Sequence, residues 1–158
     1  FKEMMERTKR FVQLLETRFD YVVGNPPWGA VLKGVVGPLG NKARSSDYKT
    51  RFESSHSPSG KYDIFVLFME RGIKWLKSKT ELGGPGTFGM ITQVNWVSQD
   101  FGDGIKKVMK KEGTPTIFVD LQEVGTIIFP KWTNYPAITV VQRGKLVDRV
   151  RVVEVSKR

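Results

Sequence analysis

The chain contains no cysteine. Disulfides and thiolate metal sites are therefore excluded. Histidine is nearly absent too: His56 stands alone, in a stretch rich in serine and proline. A histidine-based catalytic or zinc cluster has no material, and a solvated loop histidine is the expected role. Acidic residues are few beside basic ones, 16 against 26, which sets the net charge at +10. A surplus of that size favours an anionic partner such as nucleic acid, although it says nothing about fold. No apolar run approaches the length needed to span a bilayer, and no signal peptide is visible. A soluble, cytoplasmic protein is expected. There is no internal repeat and no glycine-rich phosphate-binding fingerprint. At 158 residues the chain has the length of one domain with a real core. It starts at Phe1, and it ends at Arg158 just after a strand-like alternation from Val150 to Val155. Both ends read as cuts in a longer protein.

What is present is organised around Phe19-Asp-Tyr-Val-Val-Gly-Asn-Pro-Pro-Trp28. Tyr21, Val22 and Val23 read as a buried strand that runs into Gly24 and an Asn25-Pro26-Pro27-Trp28 turn. A residue before a proline is pushed out of the α region, so Asn25 and Pro26 are not helical. Neither proline has an N–H to give a sheet. The strand must stop at Asn25. It leaves an amide side chain, the Pro26 carbonyl and the Trp28 indole at its carboxyl end, where open α/β sheets bind ligands. Two readings fit. In one, a Pro-Pro turn merely ends pairing. In the other, the amide oxygen and the carbonyl accept both hydrogens of an exocyclic amine while the indole stacks on its ring. That is a pocket for a flat, amine-bearing base.

The remaining elements follow from periodicity. Residues 2–18 form an amphipathic helix, with Met5, Thr8, Val12, Leu15 and Phe19 at steps of three and four. It is expected to pack on the sheet that starts at Tyr21. Residues 29–60 are long and irregular, with Lys33, Lys42, Arg44, Lys49 and Arg51. They read either as a solvated insertion or as a basic flap that touches phosphates, with Phe52 as its anchor. The strongest helix covers 62–77, with a buried stripe of Phe65, Phe68, Met69, Gly72, Ile73 and Leu76. Asp63 is placed to cap it or to charge its first turn. Gly72 would allow another backbone or ring to come close. Lys77 to Gly86 breaks this helix, and strands follow at 87–92, 116–121 and 137–142. A basic helix at 103–112 turns Ile105, Val108 and Met109 inward and Lys106, Lys107, Lys110 and Lys111 outward, as a solvated face. The early alternation predicts βαβ units with right-handed crossovers, and the last two strands an antiparallel pair.

Four blocks together resemble a known family. They are the Asn-Pro-Pro-Trp stretch, Lys61-Tyr-Asp-Ile-Phe-Val-Leu-Phe-Met-Glu70, Gly86-Thr-Phe-Gly-Met-Ile-Thr-Gln-Val-Asn-Trp96, and Phe129-Pro-Lys-Trp-Thr-Asn-Tyr-Pro-Ala-Ile-Thr-Val-Val141. In order and spacing they are similar to the gamma class of N6-adenine DNA methyltransferases that use S-adenosylmethionine. Those enzymes are often fused into restriction–modification polypeptides.

The resemblance implies an α/β chain with part of a Rossmann-like sheet, its fourth to seventh strands, the last one antiparallel beside the fifth. Residues 1–145 would be the C-terminal half of a catalytic domain, and 146–158 the start of a following segment or linker. The family's glycine-rich cofactor block, its ribose-holding acid and its target-recognition domain have no counterpart in this sequence, so this piece alone is expected to be inactive. Trp28 stands where Tyr or Phe is commoner. By resemblance, Asn25 (side-chain oxygen) and Pro26 (carbonyl) accept hydrogen bonds from the target amine. Trp28 stacks on the flipped-out base and Phe129 packs on its other side. Phe68 lies against the cofactor adenine, with Pro27 nearby. No metal is implied.

From periodicity alone Phe68 fits an ordinary core, and Phe129 fits a strand-end anchor. The implied partners are DNA, the missing N-terminal half and a recognition domain. A strand edge at Tyr21–Val23, left unpaired, would invite self-association. RNA or a protein glutamine amide as methyl acceptor, and a non-catalytic basic nucleic-acid-binding module, are the competing readings.

Overall fold

The computed structural model describes residues 2–29, 50–58, 62–78, 83–130, 135–144 and 147–157. Lys33, Lys42, Arg44 and Lys49 of the expected basic flap, and Trp132 of the last block, lie outside the described residues. The helices are α1 (Lys2–Glu16), α2 (Ile64–Lys74), α3 (Asp103–Glu112) and the short α4 (Gly125–Ile128). The strands are β1 (Tyr21–Gly24), β2 (Thr87–Gln93), β3 (Gly113–Asp120), β4 (Pro136–Arg143) and β5 (Arg151–Glu154). They form one five-stranded sheet in the order β1-β2-β4-β3-β5. β1 and β2 are parallel, and β4 runs antiparallel to both β2 and β3. That is the expected arrangement, with the last of the four predicted strands inserted antiparallel beside the second. The stretch 146–158 adds β5, which joins the sheet parallel to β3.

The strand and helix patterns explain the packing. On β2, Phe88, Met90 and Thr92 are buried and alternate with half-buried neighbours, the period-2 signature of a strand with one face on a core. Phe65, Met69 and Ile73 of α2 and Ile105, Val108 and Met109 of α3 close over that face. Gly72 permits the approach of α2, since a Cβ there would lie 2.6 Å from the Phe88 ring. α2 is shorter than the expected 62–77. Asp63 is its N-cap in extended conformation, with a carboxylate oxygen accepting from Phe65 N at 3.3 Å.

Three expectations need correction. α1 does not bury a face on the sheet: Met4, Met5, Phe11, Val12 and Leu14 are all exposed. The helical period is real, but among the described residues nothing covers its apolar side. β1 is not a buried strand either. Among the described residues it ends the sheet, with Tyr21 74% and Val23 80% exposed, so its side chains are not in a core. Phe68 leaves the buried stripe of α2 and is 45% exposed.

Candidate active site

The Asn25–Gly29 turn follows β1 directly. Pro26 is buried, Asn25 is exposed, and the Asn25 amide has no hydrogen-bond partner among the described residues. The turn is held from the far side by the start of α2. Gly29 N donates to both carboxylate oxygens of Asp63, at 3.0 and 3.1 Å. Ile64 N donates to the Gly29 carbonyl at 3.0 Å. Gly29 has φ of +142°, a conformation that glycine adopts without strain and other residues rarely do.

Two hollows flank this turn. The smaller, about 170 Å³, is lined by Asn25, Pro26, Trp28 and Phe129. Its rings touch: the Trp28 and Phe129 centroids are 5.0 Å apart with planes at 66°. Stacked bases are spaced about 3.4 Å, so a base between two parallel rings needs about 7 Å. The two rings must part before a base can lie between them. Trp28 Nε1 is buried and has no hydrogen-bond partner among the described residues.

The larger hollow, about 570 Å³, is lined by Pro27, Phe52, Leu67 and one face of α2. Ile64, Phe68, Arg71 and Trp75 make that face, at steps of four, three and four. The Arg71 guanidinium stacks on the Trp75 ring at 5.0 Å. Asn25 and Pro26 line both hollows, which therefore meet at these two residues. Neither hollow has a carboxylate or a histidine among its described lining residues.

Carboxylates act behind the walls instead. Glu70 is fully buried and accepts from Ser54 N at 2.7 Å and from Lys74 Nζ. Burial alone would raise its pKa, but the Lys74 ammonium and the Ser54 N–H outweigh burial and hold it below the usual glutamate value. The bond fixes the single turn at 53–55, next to Phe52. Gly104 admits the same turn, since a Cβ there would lie 2.6 Å from the Ser54 carbonyl. Asp63 shifts the other way: burial raises it, and the N–H groups of Gly29, Phe65 and Ile64 only partly offset that.

The structure thus brings Asn25, Pro26, Trp28 and Phe129 to one hollow, and Pro27 and Phe68 to its neighbour. Sequence reasoning named Phe52 as an anchor of the loop beside this turn but not as a wall of the hollow, and it missed Glu70 as its tether. It gave Asp63 only the role of a cap or a first-turn charge of α2. The second stripe of α2, Ile64-Phe68-Arg71-Trp75, was available as a signal, because it repeats with helical spacing at the margin of the buried face.

Residues 1–127 match the family described as Eco57I restriction-modification methylase. The chain is similar to the Type II methyltransferase M.XhoI of Xanthomonas vasicola, 30% identical over 140 residues that cover 89% of this chain. Those residues are 23% of M.XhoI, so the chain spans about a quarter of that relative's length. In fold it resembles a protein assigned as a class I S-adenosylmethionine-dependent methyltransferase from Listeria monocytogenes, with TM-score 0.64 and 19% identity, covering 89% of this chain and 38% of that one. It also resembles DrdV in a cryoEM DrdV–DNA complex, with TM-score 0.67 and 14% identity, covering 99% of this chain and 16% of that one. The match across most of its length establishes that the chain belongs to the Eco57I restriction-modification methylase family.

Proposed function

We propose that this chain is the C-terminal half of the catalytic domain of an S-adenosylmethionine-dependent DNA methyltransferase of the gamma class. Its target is the N6 amine of an adenine extruded from the duplex. The observation that carries the proposal is the meeting of two hollows at Asn25 and Pro26. One presents hydrogen-bond acceptors beside an aromatic ring, and the other is an apolar, partly aromatic groove of a size that suits a small-molecule ligand.

The residues present fit the adenine end of the cofactor. Phe68 offers an exposed ring face, with Pro27, Phe52 and Leu67 around it. Among its described lining residues no acid is present to hold a ribose, and that contact is assigned to the N-terminal half of the domain. When bound, S-adenosylmethionine supplies the electrophilic methyl group. The chain's own residues do the positioning. The Asn25 side-chain oxygen and the Pro26 carbonyl accept from the two amine hydrogens, which aims the nitrogen lone pair away from them. Trp28 stacks on the base once Phe129 moves aside, and that movement would uncover its buried indole N–H, which has no partner among the described residues, for an acceptor on the substrate strand. The amine loses its proton after its charge develops, so hollows without histidine or carboxylate among their described lining residues suit the reaction. Removing the base from its duplex is required for access, and the excess of cations favours the phosphate backbone.

The test is methyl transfer to adenine-containing DNA by the complete polypeptide, wild type against Asn25→Ala. A loss of about 10²–10³-fold in kcat is expected, with cofactor binding retained. Transfer that survives Asn25→Ala, or that falls on RNA or protein and not on DNA, would sink the reading.

A further inference from the structure

One carboxylate connects the two hollows although it lines neither. Asp63 caps α2, and a cap needs only one side-chain bond to an N–H in the first turn. Phe65 N supplies that bond. The two bonds from Gly29 N are surplus to capping, and they bridge 34 positions of sequence. Ile64 N grips the Gly29 carbonyl as well. Both backbone polar groups of Gly29 are thus held by the first turn of α2. Trp28 precedes Gly29 directly, and Phe68 lies little more than one helical turn beyond Asp63. The bridge joins the turn that bears Asn25, Pro26 and Trp28 to the helix that bears Phe68.

We infer that Asp63 is a positioning residue, which latches the Asn25–Gly29 turn to α2 and so sets the placement of one hollow against the other. Its consequence for catalysis rests on the methyltransferase reading above. In-line transfer depends on such placement, and a misplacement of about 1 Å can cost about 10²-fold.

Two substitutions separate the latch from the cap. Asp63→Ser keeps a strong N-cap residue, but its short side chain with one oxygen cannot also hold Gly29. Asp63→Asn keeps an oxygen at the original reach. In the complete polypeptide, Asp63→Ser is expected to lower kcat about 10–100-fold. KM for cofactor and DNA should stay within about threefold, the pattern of an interaction that serves the transition state. Asp63→Asn should recover most of the loss.

A second readout needs no activity. With 5-fluorotryptophan incorporated, the Trp28 resonance (assigned by its loss in Trp28→Phe) should shift or broaden in Asp63→Ser. The Trp75 and Trp96 resonances should stay in place. A Trp28 resonance that does not move, or full kcat in Asp63→Ser, overturns the inference. A Trp28 resonance that moves while even the wild type transfers no methyl group leaves the latch standing and removes the methyltransferase reading.

Discussion

The two hollows beside the Asn25–Gly29 turn differ in how their walls are built. The larger is walled by α2, whose far face is locked into the core through Phe65, Met69 and Ile73. Its exposed stripe is held open by a rigid element. The smaller is walled by a turn and by Phe129, which directly follows the four-residue helix α4. Its two rings occupy each other at 5.0 Å. A wall backed by a core keeps its shape, whereas a wall made of loop side chains closes on its nearest apolar neighbour. An aromatic contact of this kind is worth about 0.5–1.5 kcal/mol, which a base entering between the rings must displace. Each hollow is also tethered by a carboxylate of the same neighbourhood: Asp63 holds the turn, and Glu70 holds the segment that follows Phe52.

The comparison breaks most readily at Phe68. Stacking on an aromatic side chain is worth about 1–3 kcal/mol. Phe68→Ala should therefore weaken cofactor binding about 5–100-fold, measured by titration calorimetry on the complete polypeptide. Base extrusion, read by 2-aminopurine emission, should be spared. Unchanged cofactor affinity would mean that the larger hollow takes something else.

An effect of similar size, on stability and not on binding, is expected from Glu70→Gln. It removes a buried charge held by Lys74 and the Ser54 N–H, at a cost of about 1–3 kcal/mol at neutral pH. The sign with pH follows from linkage. The Glu70 pKa is lowered in the folded chain, so its stabilisation is complete above the ordinary glutamate value and is lost as pH falls through the lowered one. Asp63 is raised, so ionising it costs stability, and that cost disappears as pH falls through the raised value. Acid should therefore loosen the Glu70 tether. Thermal melts between about pH 3 and 7 should show a flatter acid limb for Glu70→Gln than for wild type. Parallel limbs would contradict the role given to Glu70.

The least change is expected at Phe129. Phe129→Ala loses a stacking face worth about 1–3 kcal/mol but also abolishes the Trp28 contact that a base must break. The net change in 2-aminopurine emission should correspond to less than about tenfold in base occupancy. A loss of about 100-fold or more would show that the rings do not compete with the base.

Much of the fold was legible because its elements carry clean periods. β2 and β4 alternate, and α3 turns Ile105, Val108 and Met109 inward with its lysines on the other faces. The antiparallel pairing of the last two strands was read from the order of elements, but the insertion of β4 beside β2 came from the resemblance and not from any period, since strand order depends on contacts far apart in sequence. α1 shows where periodicity stops. Its apolar side is genuine, yet the period cannot say what, if anything, lies against it. Phe68 fails in a related way: it repeats with Phe65 and Gly72 in steps of three and four, but it lies at the margin of the buried arc, with Arg71 and Trp75. The members of the candidate site could be named from one turn, one helix and, for Phe129, the resemblance of the last block. The wall formed by Phe52 and the tether formed by Glu70 could not be read, because they depend on how the chain returns after residue 50.

By itself the sequence determined the local choices. Pro26 and Pro27 end β1 at a fixed point, the absence of cysteine and the lone histidine remove whole classes of chemistry, and Asp63 starts α2. These follow from the covalent limits of each residue and its immediate neighbours. Only the tertiary structure decided that Asp63 reaches Gly29, that Asn25 and Pro26 lie between two hollows, and that the Trp28 and Phe129 rings meet. Each of those joins segments separated by tens of residues, and such contacts form only when packing of α2 on the sheet has fixed where both segments lie.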